Sequence, residues 1–287
     1  MKVLQSESQY RIGDLCAAFC VSRSGYHRWR TAAPSLRTRE DARISDEMRV
    51  VHEQSRRTYG RPRMTAALRQ GGHRCSQKRV ARLMRSLGLR GVQRGRFRPQ
   101  TTQSADRTPA PNLLLRHKAA SRPPETEIWV ADITFIPTKE GWLYVAGVMN
   151  RGSRRILGIS FDARMDTSLC EAALDQALLA RPRVAGTLIH HSDQGYQYSS
   201  TRYRQLLSQV HITQSMSRKA NCYDNAHMES FWATMKTECM PAQGFDSRAQ
   251  ARVAIFGYVH TFYNRVRLHS ALGFQSPVDF EKSNRHD

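Results

Sequence analysis

The run EIWVADITFI, residues 127–136, constrains the fold more than any other stretch. It is apolar on both faces of an extended chain, so it needs cover on both sides, which makes it a central strand of a sheet. One charge interrupts it, Asp132. A carboxylate placed there costs several kcal/mol unless something compensates it. A structural ion pair with Arg154 or Arg155 is one form of compensation, and a bound cation is another.

The surrounding pattern extends this strand into a core. GWLYVAGVM (141–149) and RRILGISF (154–161) follow as two further strands after short turns. A helix rich in Ala and Leu is expected around 167–180, a strand over GTLIHHSD (186–193), a helix over about 200–208 and a fifth strand over VHITQSM (210–216). After a polar loop, YDNAHMESFWATMKTE (223–238) is helical, with Met228, Phe231, Trp232 and Met235 in a stripe at i, i+3, i+4 and i+7 and Asp224 placed as its cap. Three antiparallel strands followed by alternating helices and strands predict an α/β core, a mixed five-stranded sheet flanked by helices, over 126–240. Residues 241–287 read as a helical extension of that core.

The charge is uneven. Residues 1–120 hold 26 Lys and Arg against 8 Asp and Glu, a net of +18, whereas 121–287 hold 19 against 16, a net of +3. A basic surface serving solubility alone would have this sign too, but an excess concentrated in one part points to a polyanion, and the predominance of Arg suits phosphate and guanine. Within residues 1–93 the helices are short. Ile12, Leu15, Cys16 and Phe19 form a stripe before a break at Val21–Ser22. PRMTAALRQ, opened by Pro62, turns at GGHRC into QKRVARLMRSLG, which Ser76 caps and Gly88 ends. There Val80, Leu83, Met84 and Leu87 face inward and Lys78, Arg79, Arg82 and Arg85 outward, the grammar of a helix-turn-helix with a basic second helix that contacts DNA, or of a hairpin used only for packing. Residues 94–125, with five prolines among small polar residues, read as a linker, and NLLLRH inside it as a local docking segment.

Six scattered cysteines suggest neither a disulfide frame nor a zinc finger, and Cys16 and Cys20, at i and i+4, read as small apolar residues on one helix face. No stretch approaches the length of a transmembrane helix and MKVLQSESQYRIGDLC has no apolar signal core, so an intracellular protein with no membrane partner is expected.

Two more acidic residues join Asp132. Asp193 closes the fourth strand at SDQG, and Glu229 sits beside the packed stripe of the later helix. Taken singly, Asp193 also fits a turn and Glu229 a solvated position near a helix N-terminus. Together they offer oxygen ligands from three separate elements, the donors a Mg²⁺ ion prefers, and two such ions activate a water or 3′-hydroxyl toward a phosphodiester.

Four ordered blocks, WVADITFIPTKEGWLYVAGVMN, HHSDQGYQYSS, NCYDNAHMESFWATMKTE and FYNRVRLHSALGFQSPVDFE, resemble the signature blocks of IS3-family insertion-sequence transposases, specifically their second-frame (OrfB-type) product. YGRPRMTAALRQGG and KRVARLMRSLGL extend the resemblance over nearly the whole chain, and 35 residues separate Asp193 from Glu229, the DD(35)E spacing shared with retroviral integrases. The resemblance implies an RNase H-like, integrase-like fold in which Asp132, Asp193 and Glu229 are catalytic and bind two Mg²⁺ or Mn²⁺ ions. It implies a DNA transposase that nicks the 3′ ends of its element and transfers the strand, with Lys236 near the terminal DNA. The implied partners are element ends and target DNA, a second copy in a synaptic complex, and an upstream-frame (OrfA-type) product or fusion, in the bacterial cytoplasm at the nucleoid. A non-catalytic DNA-binding regulator and a purely hydrolytic metal nuclease are the alternatives. The chain departs from the family at NRGSR (150–154), where Asp-Leu-Phe-Ser-Arg is usual, and at Tyr196, where a small residue is usual.

Overall fold

The computed structural model describes residues 11–92, 109–115, 126–181, 188–218 and 225–284. Its contacts divide the chain into two compact units, residues 1–50 and 51–287. In the first, α1 (Ile12–Ala18) packs on α2 (Arg23–Thr31), burying Leu15, Cys16 and Tyr26. Ser22 caps α2 by accepting from the Gly25 N–H at 3.0 Å, so the expected break is present. The cysteines do not share a face, however. α1 stops at Ala18, Cys20 turns into the left-handed region at φ 51° and is exposed, and Phe19 is exposed as well. A further helix, α3 (Leu36–Gln54), crosses into the second unit; its polar, weakly periodic sequence gave no signal.

The second unit opens with the basic hairpin, α4 (Arg61–Gln70) and α5 (Gln77–Ser86). Pro62 lies in the first turn of α4, Ser76 accepts from the Arg79 N–H at 3.2 Å, and Gly88 ends the hairpin at φ 68°. Val80, Leu83 and Met84 are buried; Lys78, Arg82 and Arg85 are exposed and Arg79 half-buried. The sequence reading places a boundary at 94–125, but the hairpin is tied to the far end of the chain. The Tyr59 hydroxyl donates to the Val266 carbonyl at 3.0 Å and accepts from the Leu268 N–H at 2.8 Å, Arg63 Nε donates to the Leu268 carbonyl at 2.9 Å, and Gln70 Nε2 to the Phe274 carbonyl at 2.8 Å. Of residues 94–125, only 109–115 are described. There the Leu113 N–H donates to Ser215 Oγ at 2.9 Å and Ala110 packs on the core, as expected of a docking segment.

The sheet has five strands: β1 (Glu127–Thr138), β2 (Gly141–Asn150), β3 (Ile156–Asp162), β4 (Leu188–Ser192) and β5 (Thr213–Met216). Their order is β3-β2-β1-β4-β5, with β1–β2 and β2–β3 antiparallel and β1–β4 and β4–β5 parallel. β1 is central, as its two-sided apolar pattern requires. On one face α6 (Thr167–Ala180) and α8 (Thr201–Gln209), joined to β4 through the short α7 (Tyr196–Ser199), cover Trp129, Ala131, Ala146 and Val148. On the other, α9 (Ala226–Cys239) and α10 (Arg248–Gly257) cover Val130, Ile136, Leu143 and Val145. Residues Tyr258–Tyr263 continue as a π-helix, and α11 (Pro277–Ser283) closes the unit. At the departure NRGSR, Asn150 Oδ1 accepts the Gly152 and Ser153 N–H groups at 2.9 Å, so the turn is self-bonded. No helix among the described residues is long and apolar enough to cross a membrane.

Helix α6 approaches β3 closely at Gly158, where an added Cβ would lie 1.9 Å from the Ala173 carbonyl oxygen and 2.9 Å from the Ala177 nitrogen. Gly158→Ala is expected to destabilise the protein by about 1–3 kcal/mol through overpacking. A lowered urea midpoint with an unchanged slope would show it, with Gly152→Ala, at an exposed turn, as the control.

Candidate active site

The site forms where the sheet runs out of strand. β1 and β4 pair in parallel up to Val130 with His191, and continuing that register by two residues brings Asp193 level with Asp132. Beyond β4 the chain turns sharply, with Asp193 Oδ1 accepting the Gly195 N–H at 3.0 Å. The turn reading of Asp193 and the site reading are therefore compatible, since the bond occupies one carboxylate oxygen.

Glu229 enters from above the sheet on the first turn of α9. Met228, Phe231, Trp232 and Met235 are buried against β1 and β2 and fix the helix. Two features bring α9 close. Gly147 faces Asp132 across the β1–β2 ladder, and a Cβ on it would meet Trp232 Cη2 at 3.0 Å and Met228 Cε at 3.1 Å. Asn225, at the N-cap, uses its amide to donate to the Ala131 carbonyl at 3.0 Å rather than to cap the helix. The expected cap Asp224 lies outside the described residues. Through the gap left by Gly147 the Trp232 indole Nε1 donates to Asp132 Oδ2 at 3.1 Å.

Electrostatics join the three carboxylates. Burial, the Asp193 carboxylate and the Glu229 carboxylate hold Asp132 well above the usual carboxylate range, against the pull of the Ile133 N–H and the Trp232 indole. Burial raises Glu229 as well. Arg155 pairs with Glu281 at 2.8 Å instead of Asp132. Asp132 thus has like-charged neighbours, the opposite of a structural ion pair. Lys236, two turns along α9, lies over the Phe135 ring at 5.1 Å; burial lowers its pKa and Asp132 opposes that shift. Lys78, Arg79, Arg82 and Arg85 lie on α5.

The donor set, carboxylate oxygens whose ionisation is mutually opposed, is one that a hard divalent cation would relieve. Among the described residues no three His, Cys, Asp or Glu side chains are gathered as the ligands of a single ion. The adjacent His190 and His191 are not further ligand candidates. Burial pushes His190 down to about 3, with its Nε2 3.1 Å from the Tyr203 hydroxyl, and His191 lies between Ser215 and Ser217 at 2.8 and 3.1 Å. Sequence reasoning missed Gly147, Asn225 and the indole of Trp232. The glycine and asparagine were visible in AGVM and DNAHME, but their use depends on what lies across from them.

This fold defines an integrase-type core, and comparison with known proteins agrees. Residues 122–222 match the Integrase core domain family, as do 210–277, and residues 38–97 match the HTH-like domain family. An Insertion element IS600 31 kDa protein of Shigella sonnei is 42% identical over 93% of this chain and 97% of that protein. The Transposase InsF for insertion sequence IS3A of Escherichia coli is 36% identical over 97% and 96%, and the Transposase for insertion sequence element IS904 of Lactococcus lactis is 40% identical over 88% and 98%. The chain belongs to the IS3-family transposases.

A raised carboxylate pKa stabilises the fold below the ordinary carboxylate range, and that stability is lost as pH rises through the raised value. Asp132→Asn keeps an acceptor for Trp232 and removes the charge. In metal-free buffer its melting temperature is expected to exceed that of wild type by about 2–4 °C per kcal/mol of relief at pH 8, with the gap closing toward pH 4. Trp232→Phe deletes a bond that lowers the Asp132 pKa, so the acidic limb of the pH–rate profile moves to higher pH.

Proposed function

We propose that this transposase cuts DNA to free a 3′-hydroxyl and joins that hydroxyl to a second phosphodiester, using Asp132, Asp193 and Glu229 as its catalytic carboxylates. The observation that carries the reading is the buried Asp132 carboxylate, held by the Trp232 indole, with Asp193 and Glu229 as like-charged neighbours and, among the described residues, no ion-paired cation. The same three residues would hold Mg²⁺ or Mn²⁺. Bound there, a pair of such ions supplies Lewis-acid activation of a water or 3′-hydroxyl and stabilises the leaving 3′-oxygen.

The chain's own groups do the positioning. α9 holds Glu229 on a helix locked by four buried side chains, and Trp232 orients the Asp132 carboxylate. Lys236, half-buried beside Asp132, is placed to meet a phosphate oxygen of the DNA terminus. The exposed Lys78, Arg82 and Arg85 of α5 supply salt-dependent affinity for the backbone. Element ends and target DNA are the substrates, a second copy completes the synapse, and an upstream-frame product or fusion contributes end recognition.

A strand-transfer assay tests this. Labelled duplex carrying the element's terminal repeats is incubated with Mg²⁺ or Mn²⁺ and wild type, Asp193→Asn or Glu229→Gln, with the upstream-frame product supplied. Joined products are expected from wild type and a fall of about 100-fold or more in both variants, the consequence of losing several kcal/mol of charge stabilisation. Nicks without joined strands would assign a hydrolytic nuclease, and binding without either product a DNA-binding regulator.

A further inference from the structure

The block FYNRVRLHSALGFQ has a role in this fold that the active site does not use. Beside α9, a cavity of about 440 Å³ lies between the start of the basic hairpin, the turn after β2 and residues 267–271. Its charged walls are Arg63, Arg154, Arg267 and Glu238. Glu238 is the one carboxylate among the described lining residues, and Arg267 takes both its oxygens, Nε to Oε2 at 2.8 Å and Nη2 to Oε1 at 2.6 Å. Arg63 uses Nε for the Leu268 carbonyl and lies over the Tyr59 ring. Among the described residues neither Arg63 nor Arg154 forms an ion pair with a carboxylate. Two guanidinium groups of one cavity are thus without an ion-paired carboxylate among the described residues, with Glu238 acting on Arg63 at longer range. Arg154 is carried there on a left-handed backbone, φ 60°, an unfavourable conformation for a side chain of its kind.

His269 lines the same cavity. It is 93% buried, bonds the Tyr263 backbone, and leaves Nε2 with no hydrogen-bond partner among the described residues. Burial first, and then Arg267, Arg63 and Arg154, push its pKa down to about 3. The converging guanidinium groups mark a site short of an anion, and an anion bound among them would favour protonation of the orphan Nε2. The Thr234 and Thr237 hydroxyls donate to the Ser230 and Ala233 carbonyls at 2.8 and 2.6 Å, so the donors this lining offers a tetrahedral oxyanion are its guanidinium groups and the Ser270 hydroxyl.

We propose that this cavity binds a phosphate group, and that its source is the backbone of the DNA on which the active site acts. The identification of the source rests on the proposed function above. α9 carries both sites. Ser230 and Thr237 line the cavity, and they follow Glu229 and Lys236 by one residue each, about 100° around the helix. A helix with its side chains is about 10–12 Å across, so one DNA strand can occupy both edges of α9. The cavity then holds the strand in register while the carboxylates act on a neighbouring phosphodiester.

The test uses the full chain, with Arg154→Gln, which removes a half-exposed guanidinium, and Ser270→Glu, which adds a carboxylate at an exposed position of the lining. Binding of a fluorescent 30-base-pair duplex, a length of roughly three helical turns, is measured across KCl concentrations without divalent ions. Arg154→Gln is expected to weaken binding by about 3- to 10-fold and to reduce the slope of log K against log salt by about 0.9, the value of one phosphate contact. Ser270→Glu is expected to weaken it at least as much. In a second arm, inorganic pyrophosphate at constant ionic strength is added to each protein and the melting temperature is followed. If the variants bind duplex as wild type does, but pyrophosphate raises the melting temperature of wild type alone by about 3 °C at ten times its Kd, the cavity holds a small free phosphate compound instead of DNA. If the variants bind duplex like wild type and pyrophosphate stabilises all three alike or none, the proposal is overturned. Wild type that binds no duplex would remove the proposed function, and the pyrophosphate arm would then decide the cavity by itself.

Discussion

Helix α9 lies against the β1–β2 ladder at a place where Gly147 has no side chain, and the arrangement of the candidate site depends on that contact. The missing Cβ lets the Trp232 ring settle over the strand next to Asp132, which carries the helix, and Glu229 with it, to the end of the sheet. A methyl group at 147 would meet the ring and the Met228 tip near 3 Å. Interiors this tightly packed transmit such a displacement rather than absorb it. The same helix also presents Lys236 on the side of the candidate site and Ser230, Thr234 and Thr237 on the cavity side, so one packing contact positions two polar surfaces.

The far end of α9 is fixed by charge. Glu238 and Arg267 have side chains only 7% and 6% exposed, and the Tyr258 hydroxyl adds a third bond to the carboxylate at 2.7 Å. Burial alone would lower the Arg267 pKa, but the bond with Glu238 outweighs it and holds the guanidinium above its ordinary value. Removing one partner from such a pair leaves an uncompensated buried charge, at about 3–5 kcal/mol. Because Leu268 bonds Tyr59 and Arg63, the pair also anchors the basic hairpin to the core. The helix that bears a catalytic candidate and the hairpin that bears the basic face are thereby coupled through one short segment, residues 266–269.

Asp132 illustrates the tension in the site. The strand that carries it is apolar on both faces because both faces are covered, and that cover is what raises the cost of its charge. Asp193 and Glu229 add repulsion, which the Ile133 N–H, the Trp232 indole and Lys236 counter. A fold optimised for stability would avoid this cluster. Its presence in a packed, preorganised setting is what the proposed catalytic role of these carboxylates requires.

How much of this was legible beforehand varied with the range of the interaction. The amphipathic stripe of 228–235, the two-sided strand at 127–136, the Ser76 cap and the Gly88 stop are local patterns, decided by the alternation of side chains and by backbone sterics, and they are present as read. The polar helix 36–54, the exposed Cys20 and the placement of the hairpin with residues 266–274 were not legible, because each depends on what packs against it. The spacing of Asp132, Asp193 and Glu229 nominated the three carboxylates through a family likeness. Their common neighbourhood, the Gly147 gap, the indole bond and the arginine-lined cavity exist only once strands distant in sequence are paired and α9 is laid across them. Sequence alone determined the periodic elements and the chemistry they carry, since both are properties of consecutive residues. Tertiary structure alone decided which of those groups face one another, because charge, burial and hydrogen bonding act through space and not along the chain.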